Sequence, residues 1–158
     1  MAQALLLSKT VEGLGEIQAT LQFDDAAFGM SATPTPWTIS INDGGRDLGR
    51  IVGFEGDAAT IAAMHNLKPD PSAERIVDMT VFRVHALLRE RGLDAQAFAA
   101  FERWLLRRGW RGNIVKKLKF TDPAWVIPIR EFWVKKLGFE LILEVQGQWD
   151  EHVVKRWR

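Results

Sequence analysis

Apolar residues alternate cleanly along 14–23, LGEIQATLQF: Ile17, Ala19, Leu21 and Phe23 point one way, and Gln18, Thr20 and Gln22 the other. A period of two is that of a half-buried β-strand. Trp37, Ile39 and Ile41 repeat it. Asn42-Asp43-Gly44-Gly45 then makes a hairpin turn, and Leu48 to Glu55 returns. The first third therefore predicts an antiparallel sheet, with 24–36 a loop broken by Gly29 and Pro34-Thr35-Pro36. Over 57–67 the spacing favours a short helix capped by Asp57, with Ile61 and Met64 inward, over a continuation of the hairpin. His65 has a structural place there, and Lys68-Pro69-Asp70-Pro71 follows as an exposed loop. Residues 75–84, RIVDMTVFRV, are apolar on both faces, as in a central strand covered on both sides.

After Val84 the period changes. Phe98, Phe101, Trp104 and Leu105 recur at three-to-four spacing and form one helical stripe. Asp94 stands at the expected N-cap, and Gly109 stops the helix behind Arg107 and Arg108. Between strand and helix, Arg89 to Asp94 is a short basic loop whose amides can converge on an anion, although any α/β chain turns this way. Strands follow at 114–120 and 139–146. Between them a helix from Pro128, at its first position, ends at Gly138, and the tail from Trp149 to Trp157 forms a last strand.

A chain of 158 residues is one domain with room for a core. It has no cysteine, which excludes disulfides and thiolate chemistry. His65, His85 and His152 lack the spacing of metal ligands. No apolar run spans a membrane, and the opening MAQALLLSK is not a secretory signal, so the expected compartment is the cytoplasm. Charge is uneven. Residues 1–80 hold 5 Lys/Arg and 11 Asp/Glu, whereas 83–119 hold 10 and 3. The positive segment contains the loop and attracts polyanions, a nucleotide cofactor or a nucleic acid. Tyrosine is absent, and six of the seven tryptophans lie after residue 100.

Val84-His85, Arg89 and Arg91-Gly92-Leu93, in that order, resemble the acyl-CoA pyrophosphate loop of the GNAT N-acyltransferase superfamily. That loop is a valine, a few residues, then Gln/Arg-x-x-Gly-x-Gly/Ala opening a helix. Arg89, Gly92 and Leu93 match, while Asp94 stands where the family has Gly or Ala. Phe132-Trp133-Val134-Lys135-Lys136-Leu137-Gly138-Phe139 is similar to the family's closing FYxKLGF, with one residue extra. The resemblance covers roughly 77–146. The strand-rich part before it, 1–76, departs from the family's two-helix opening and leaves the acceptor unread.

The resemblance implies a single α/β (α+β) domain over 1–158: a mixed, mostly antiparallel twisted sheet with helices on both faces. It implies transfer of an acyl group, most simply acetyl from acetyl-CoA, to an amine on a small molecule or protein, by direct attack and without metal. Glu90 to Asp94 would offer amides to the pyrophosphate, with Arg89 or Arg91 as its cation. The backbone of Phe82 and Val84 would pair with the pantetheine amides. Asp78 is the candidate base, or else a strand carboxylate bonded to a neighbouring loop. His85 is either a relay or a residue bound to backbone. The family's acid for the leaving thiolate is a tyrosine one turn before Leu-Gly-Phe. Here Trp133 or Val134 stands there, and neither donates an acidic proton. The competing readings are a non-catalytic domain of this fold binding nucleic acid or a protein, and a homodimer anchored by tryptophans.

Overall fold

The structure, a computed structural model, describes residues 2–23, 33–68, 70, 72–89, 92–118, 124, 126–142 and 151–157. Eight strands form one sheet in the order β1-β2-β3-β4-β5-β6-β8-β7. They are β1 Ala2–Val11, β2 Gly15–Phe23, β3 Thr35–Asp43, β4 Arg46–Asp57, β5 Arg75–Val84, β6 Gly112–Leu118, β7 Glu140–Ile142 and β8 Glu151–Trp157. The helices are α1 Ala58–Met64, the single turn α2 Ala86–Arg89, α3 Leu93–Arg107 and α4 Val126–Arg130, the last continued by a π-helical turn Glu131–Lys136. Backbone contacts divide the chain into two compact units, 1–26 with 36–53 and 81–109, and 27–35 with 54–80 and 110–158. Strands β4 and β5 each run through both.

In the first unit β1 and β2 pair antiparallel from Ala2↔Phe23 to Val11↔Gly15, and β2 pairs antiparallel with β3. Strand β1 is absent from the sequence expectation for a physical reason. Its ladder slips between Leu5 and Leu7, so the chain shows a leucine run where alternation would mark a strand. The predicted inward faces of β2 and β3 are buried throughout. They meet the α3 stripe: Phe23 stacks on Trp104 at 4.8 Å and Trp37 on Phe101 at 5.1 Å. Fully burying each such ring contributes about 2–3 kcal/mol. Gly109, at φ 69, ends α3 as expected.

In the second unit α1 lays Ala58, Ile61 and Ala62 on Ile76, Val115 and Val154 of β5, β6 and β8. Asp57 caps it as expected, its carboxylate accepting from the Thr60 amide. Met64, expected inward, is half exposed because the helix ends there and His65 takes the inward position. Strand β6 pairs antiparallel with β8, and β8 with β7. Strands β5 and β6 are parallel. Gly112 makes that pairing possible, since a Cβ there would meet the Arg75 carbonyl oxygen at 2.2 Å. Beside it, fully buried Glu55 accepts from Arg75 Nε at 2.7 Å and Nη2 at 3.1 Å. The expected strand and tail ends at 119–120, 143–146 and 149–150 lie outside the described residues.

Pro128 is the third residue of α4, not the first. Its missing N–H is still one of the four that a helix start leaves unbonded, so the position is tolerated. The following turn is π-helical, with the Leu137 amide donating to the Phe132 carbonyl five residues back. A π turn holds one residue more than an α turn. That surplus is the extra residue of the FYxKLGF-like segment.

Gly112→Ala is expected to destabilise the protein by about 2 kcal/mol or more in urea unfolding, because backbone must move. Gly45→Ala, with nothing near its added methyl, is expected to stay within about 0.5 kcal/mol. Equal effects at the two positions would contradict the close approach of β6 to β5.

Candidate active site

The parallel ladder of β5 and β6 is short. It has three pairs, Ile76↔Asn113, Val77↔Ile114 and Asp78↔Val115. Strand β6 continues for three more residues, paired to β8 alone among the described strands. The burial of β5 changes at the same place. Ile76 to Met79 are buried, whereas Thr80, Val81 and Arg83 are exposed and Phe82 is half-buried. Nothing in the pattern RIVDMTVFRV announces this change, since it stays apolar to its end. At the parting, the Lys116 ammonium of β6 donates to the Thr80 carbonyl at 3.1 Å.

Asp78 is the last residue of β5 paired with β6, and its carboxylate is buried. Thr80 Oγ1 donates to Asp78 Oδ2 at 2.7 Å. His65 Nε2 stands 3.0 Å from Asp78 Oδ1, at ion-pair distance but off the line of a hydrogen bond. The other ring nitrogen of His65, Nδ1, lies 3.1 Å from His152 Nε2, with the rings perpendicular. His152 is fully buried. Two residues apart on β5, Asp78 and Thr80 share one face of the strand. His65 and His152 are 87 residues apart, and no sequence signal joined them.

The loop residues belong to the first unit, and there the structure changes the expectation. The segment after Val84 is a helical turn, α2, rather than an open loop. His85 binds backbone: its amide donates to the Leu48 carbonyl at 2.8 Å and its Nδ1 accepts from the Leu87 amide at 3.2 Å. The N-cap of α3 is Gly92, at φ 77, not Asp94. Glycine takes this left-handed conformation without strain, which moves the helix start two residues forward. Asp94 is buried in the first turn, and its carboxylate accepts from the Ala95 amide at 2.8 Å. The Gly92 amide, expected to face an anion, donates to the Arg89 carbonyl at 3.0 Å. Arg89 is exposed, and Glu90 and Arg91 lie outside the described residues.

At the far end of the motif Trp133 is buried, edge-on to Phe139 with ring centroids 5.2 Å apart, and Val134 is half-buried. Neither supplies the proton that a tyrosine would. Below the α1 face, a cavity of about 630 Å³ is floored by Ile76, Val115, Val154 and Ile142 and edged by Asp70, Asn113 and Arg156. Asp70 accepts from the Ser72 hydroxyl and amide, from Asn113 Nδ2 and from Arg156 Nε. These donors, Ser72 foremost, hold its carboxyl well below the usual carboxylate range. Arg156 also binds Glu140.

A mixed, mostly antiparallel sheet with one short parallel pair and a helix between its two strands is the fold of the GNAT acyltransferases. The polyamine N-acetyltransferase of Drosophila melanogaster, which forms N-acetylagmatine, aligns with 75% of this chain over 74% of its own, at a TM-score of 0.54 and 14% identity. An apo agmatine N-acetyltransferase aligns with 75% of this chain over 73% of its own, at a TM-score of 0.53 and 14% identity. At that identity the likeness is one of fold. No family model and no curated protein matches the sequence. No helix among the described residues is long and apolar enough to cross a membrane.

The depressed Asp70 carboxyl sets a pH dependence. A group whose folded value lies below its unfolded value, about 3.9, stabilises above that value and loses the contribution as pH falls toward the folded one. The stability difference between wild type and Asp70→Asn is therefore expected to be largest near pH 6–7 and to shrink as pH drops below about 4. Urea unfolding across that range measures it, and a difference that stays constant with pH would contradict the assignment.

Proposed function

We propose that this protein is an acyl-CoA-dependent N-acyltransferase that passes an acetyl group from acetyl-CoA to an amine. The observation that carries the proposal is the parting of β5 from β6 after Asp78↔Val115, with β5 turning from buried to open at Thr80. An exposed strand edge offers backbone amides and carbonyls to an extended amide-containing chain, which is what pantetheine is. Phe82 and Val84 on that strand are assigned the pantetheine contacts. Arg89, with the amides of Leu93 and Asp94, is assigned the pyrophosphate. Glu90 and Arg91 complete the loop as the sequence motif has it, and Gly92 acts through its conformation.

The acceptor arrives as an ammonium and must lose a proton before its nitrogen attacks the thioester carbonyl. Asp78 is assigned that proton. The C–N bond then forms, the C–S bond breaks and the thiolate leaves, and the nitrogen gives up its second proton to water to become the neutral amide. With Trp133 and Val134 where the family has its acid, the thiolate takes its proton from water. The neighbouring structures of polyamine and agmatine acetyltransferases favour small primary amines as the first acceptors to try.

Acetyl-CoA is expected to raise the melting temperature, by mass action on the native state, with micromolar affinity. Calorimetry should find binding to Arg89→Ala weaker by at least tenfold, the loss of about 1.4 kcal/mol. Absence of binding to the wild type by both methods would end the acyltransferase reading. Salt-sensitive binding of an oligonucleotide in its place would favour a non-catalytic domain of the same fold.

A further inference from the structure

The cavity of about 630 Å³ beside α1 lies wholly within the second unit, and no residue assigned to the acyltransferase chemistry lines it. Its size is that of a small-molecule site. The strand registers show how its floor is graded. Asn113 of β6 and Arg156 of β8 are partners, flanked by Ile76 of β5. Val115 and Val154, two residues further along, are partners in turn. Ile142 of β7 comes next, opposite His152. Residues two apart on a strand share a face and stand about 7 Å apart, so the floor passes from a polar row to apolar ones over about 13 Å.

The end of α1 completes the rim. Asn66, left-handed at φ 54, closes the helix. Its amide donates to the Ala63 carbonyl at 3.2 Å, and the Leu67 amide donates to the Ala62 carbonyl at 2.9 Å. Those two bonds make a Schellman close, in which Asn stands in for the usual Gly. They fold Leu67 back onto the apolar cluster and bring Lys68 to the cavity. They also occupy helix-end carbonyls, so the rim's binding capacity rests on side chains. Asp70 has none to give. Its Oδ1 accepts from the Ser72 amide and hydroxyl, and its Oδ2 from Asn113 Nδ2 and Arg156 Nε. Those four bonds fill a carboxylate. Arg156 donates through Nε to Asp70 and Nη1 to Glu140, while its Nη2 has no acceptor among the described residues. The exposed Lys68 ammonium has none there either. Glu140 and Asp70 balance much of the Arg156 charge, which leaves Lys68 as the uncompensated one.

We propose that this cavity binds a small monocarboxylate with an aliphatic body, its head at Lys68 and Arg156 and its chain along Val115, Val154 and Ile142. The site does not rest on the acyltransferase reading. The open charged groups of the rim are cationic donors, and its one carboxylate is already filled, so a ligand ammonium finds no free partner of opposite charge. Lysine is a mobile point charge on a flexible stem and draws an anion without fixing its outline. Recognition therefore runs through charge at one end and chain length at the other.

The test is calorimetric titration of the full chain with hexanoate, octanoate and decanoate below their micellar concentrations, with octylamine and octanol as controls. Methyl NMR of the same samples locates the contact. Affinity should rise about tenfold for each two methylenes added. Shifts should fall on Val115, Val154 and Ile142 and spare Ile17 and Ile41 of the first unit. Lys68→Glu, at an exposed position, reverses one charge and should weaken octanoate about tenfold, whereas Lys68→Arg should hold it within about threefold. Octylamine or octanol binding as tightly as octanoate, or equal octanoate affinity in Lys68→Glu and wild type, would overturn the anionic head. No binding, or shifts that miss the three floor residues, would overturn the site. Acetyl-CoA, titrated separately, reports on the acyltransferase reading and leaves this one untouched.

Discussion

Three residue pairs hold β5 to β6, and then the ladder stops. Gly112 sets where it begins, by letting two backbones approach where a Cβ would collide. Where it ends, the next carbonyl of β5 is bound by a lysine side chain. A longer ladder would leave Asp78 in the middle of the pairing instead of at its end. A shorter one would lose the row of Ile76, Val115 and Val154 on which α1 is seated. The length of this pairing therefore sets both the seat of α1 and the position of Asp78 at the ladder's end.

Much of the fold was legible because its signals are local. The alternation of β2 and β3, the hairpin at Asn42 to Gly45, the Asp57 cap and the α3 stripe each occupy one window of chain, and each forms as expected. Strand β1 escaped because a slipped ladder erases the period that would reveal it. The start of α3 was misplaced because Asp94 is a good capping residue by type. Gly92 wins the position by conformation, and Asp94 satisfies its own helix's amide from inside the first turn.

The site was legible only along β5. Asp78 and Thr80 lie two residues apart on one strand face, and alternation is enough to join them. His65 and His152 needed the sheet order: β8 lies beside β6, and the end of α1 hangs over both. No pattern within either segment encodes that juxtaposition. Within the loop the Gly92 amide donates to the Arg89 carbonyl, a local bond that the order of residues in the motif does not encode.

The π-helical turn at Glu131–Lys136 has a consequence for how this chain and the usual sequence motif correspond. A residue added inside a helix normally rotates everything beyond it by about 100°. Here the wider turn holds one residue more, and Phe139 beyond it is buried against Trp133. The price is paid upstream, where Trp133 and Val134 have no one-to-one counterpart in the shorter motif. A phenol placed at Trp133 would take a buried position, and one at Val134 a half-buried one. Grafting of catalytic groups onto this helix has to begin from its winding and only then turn to its letters.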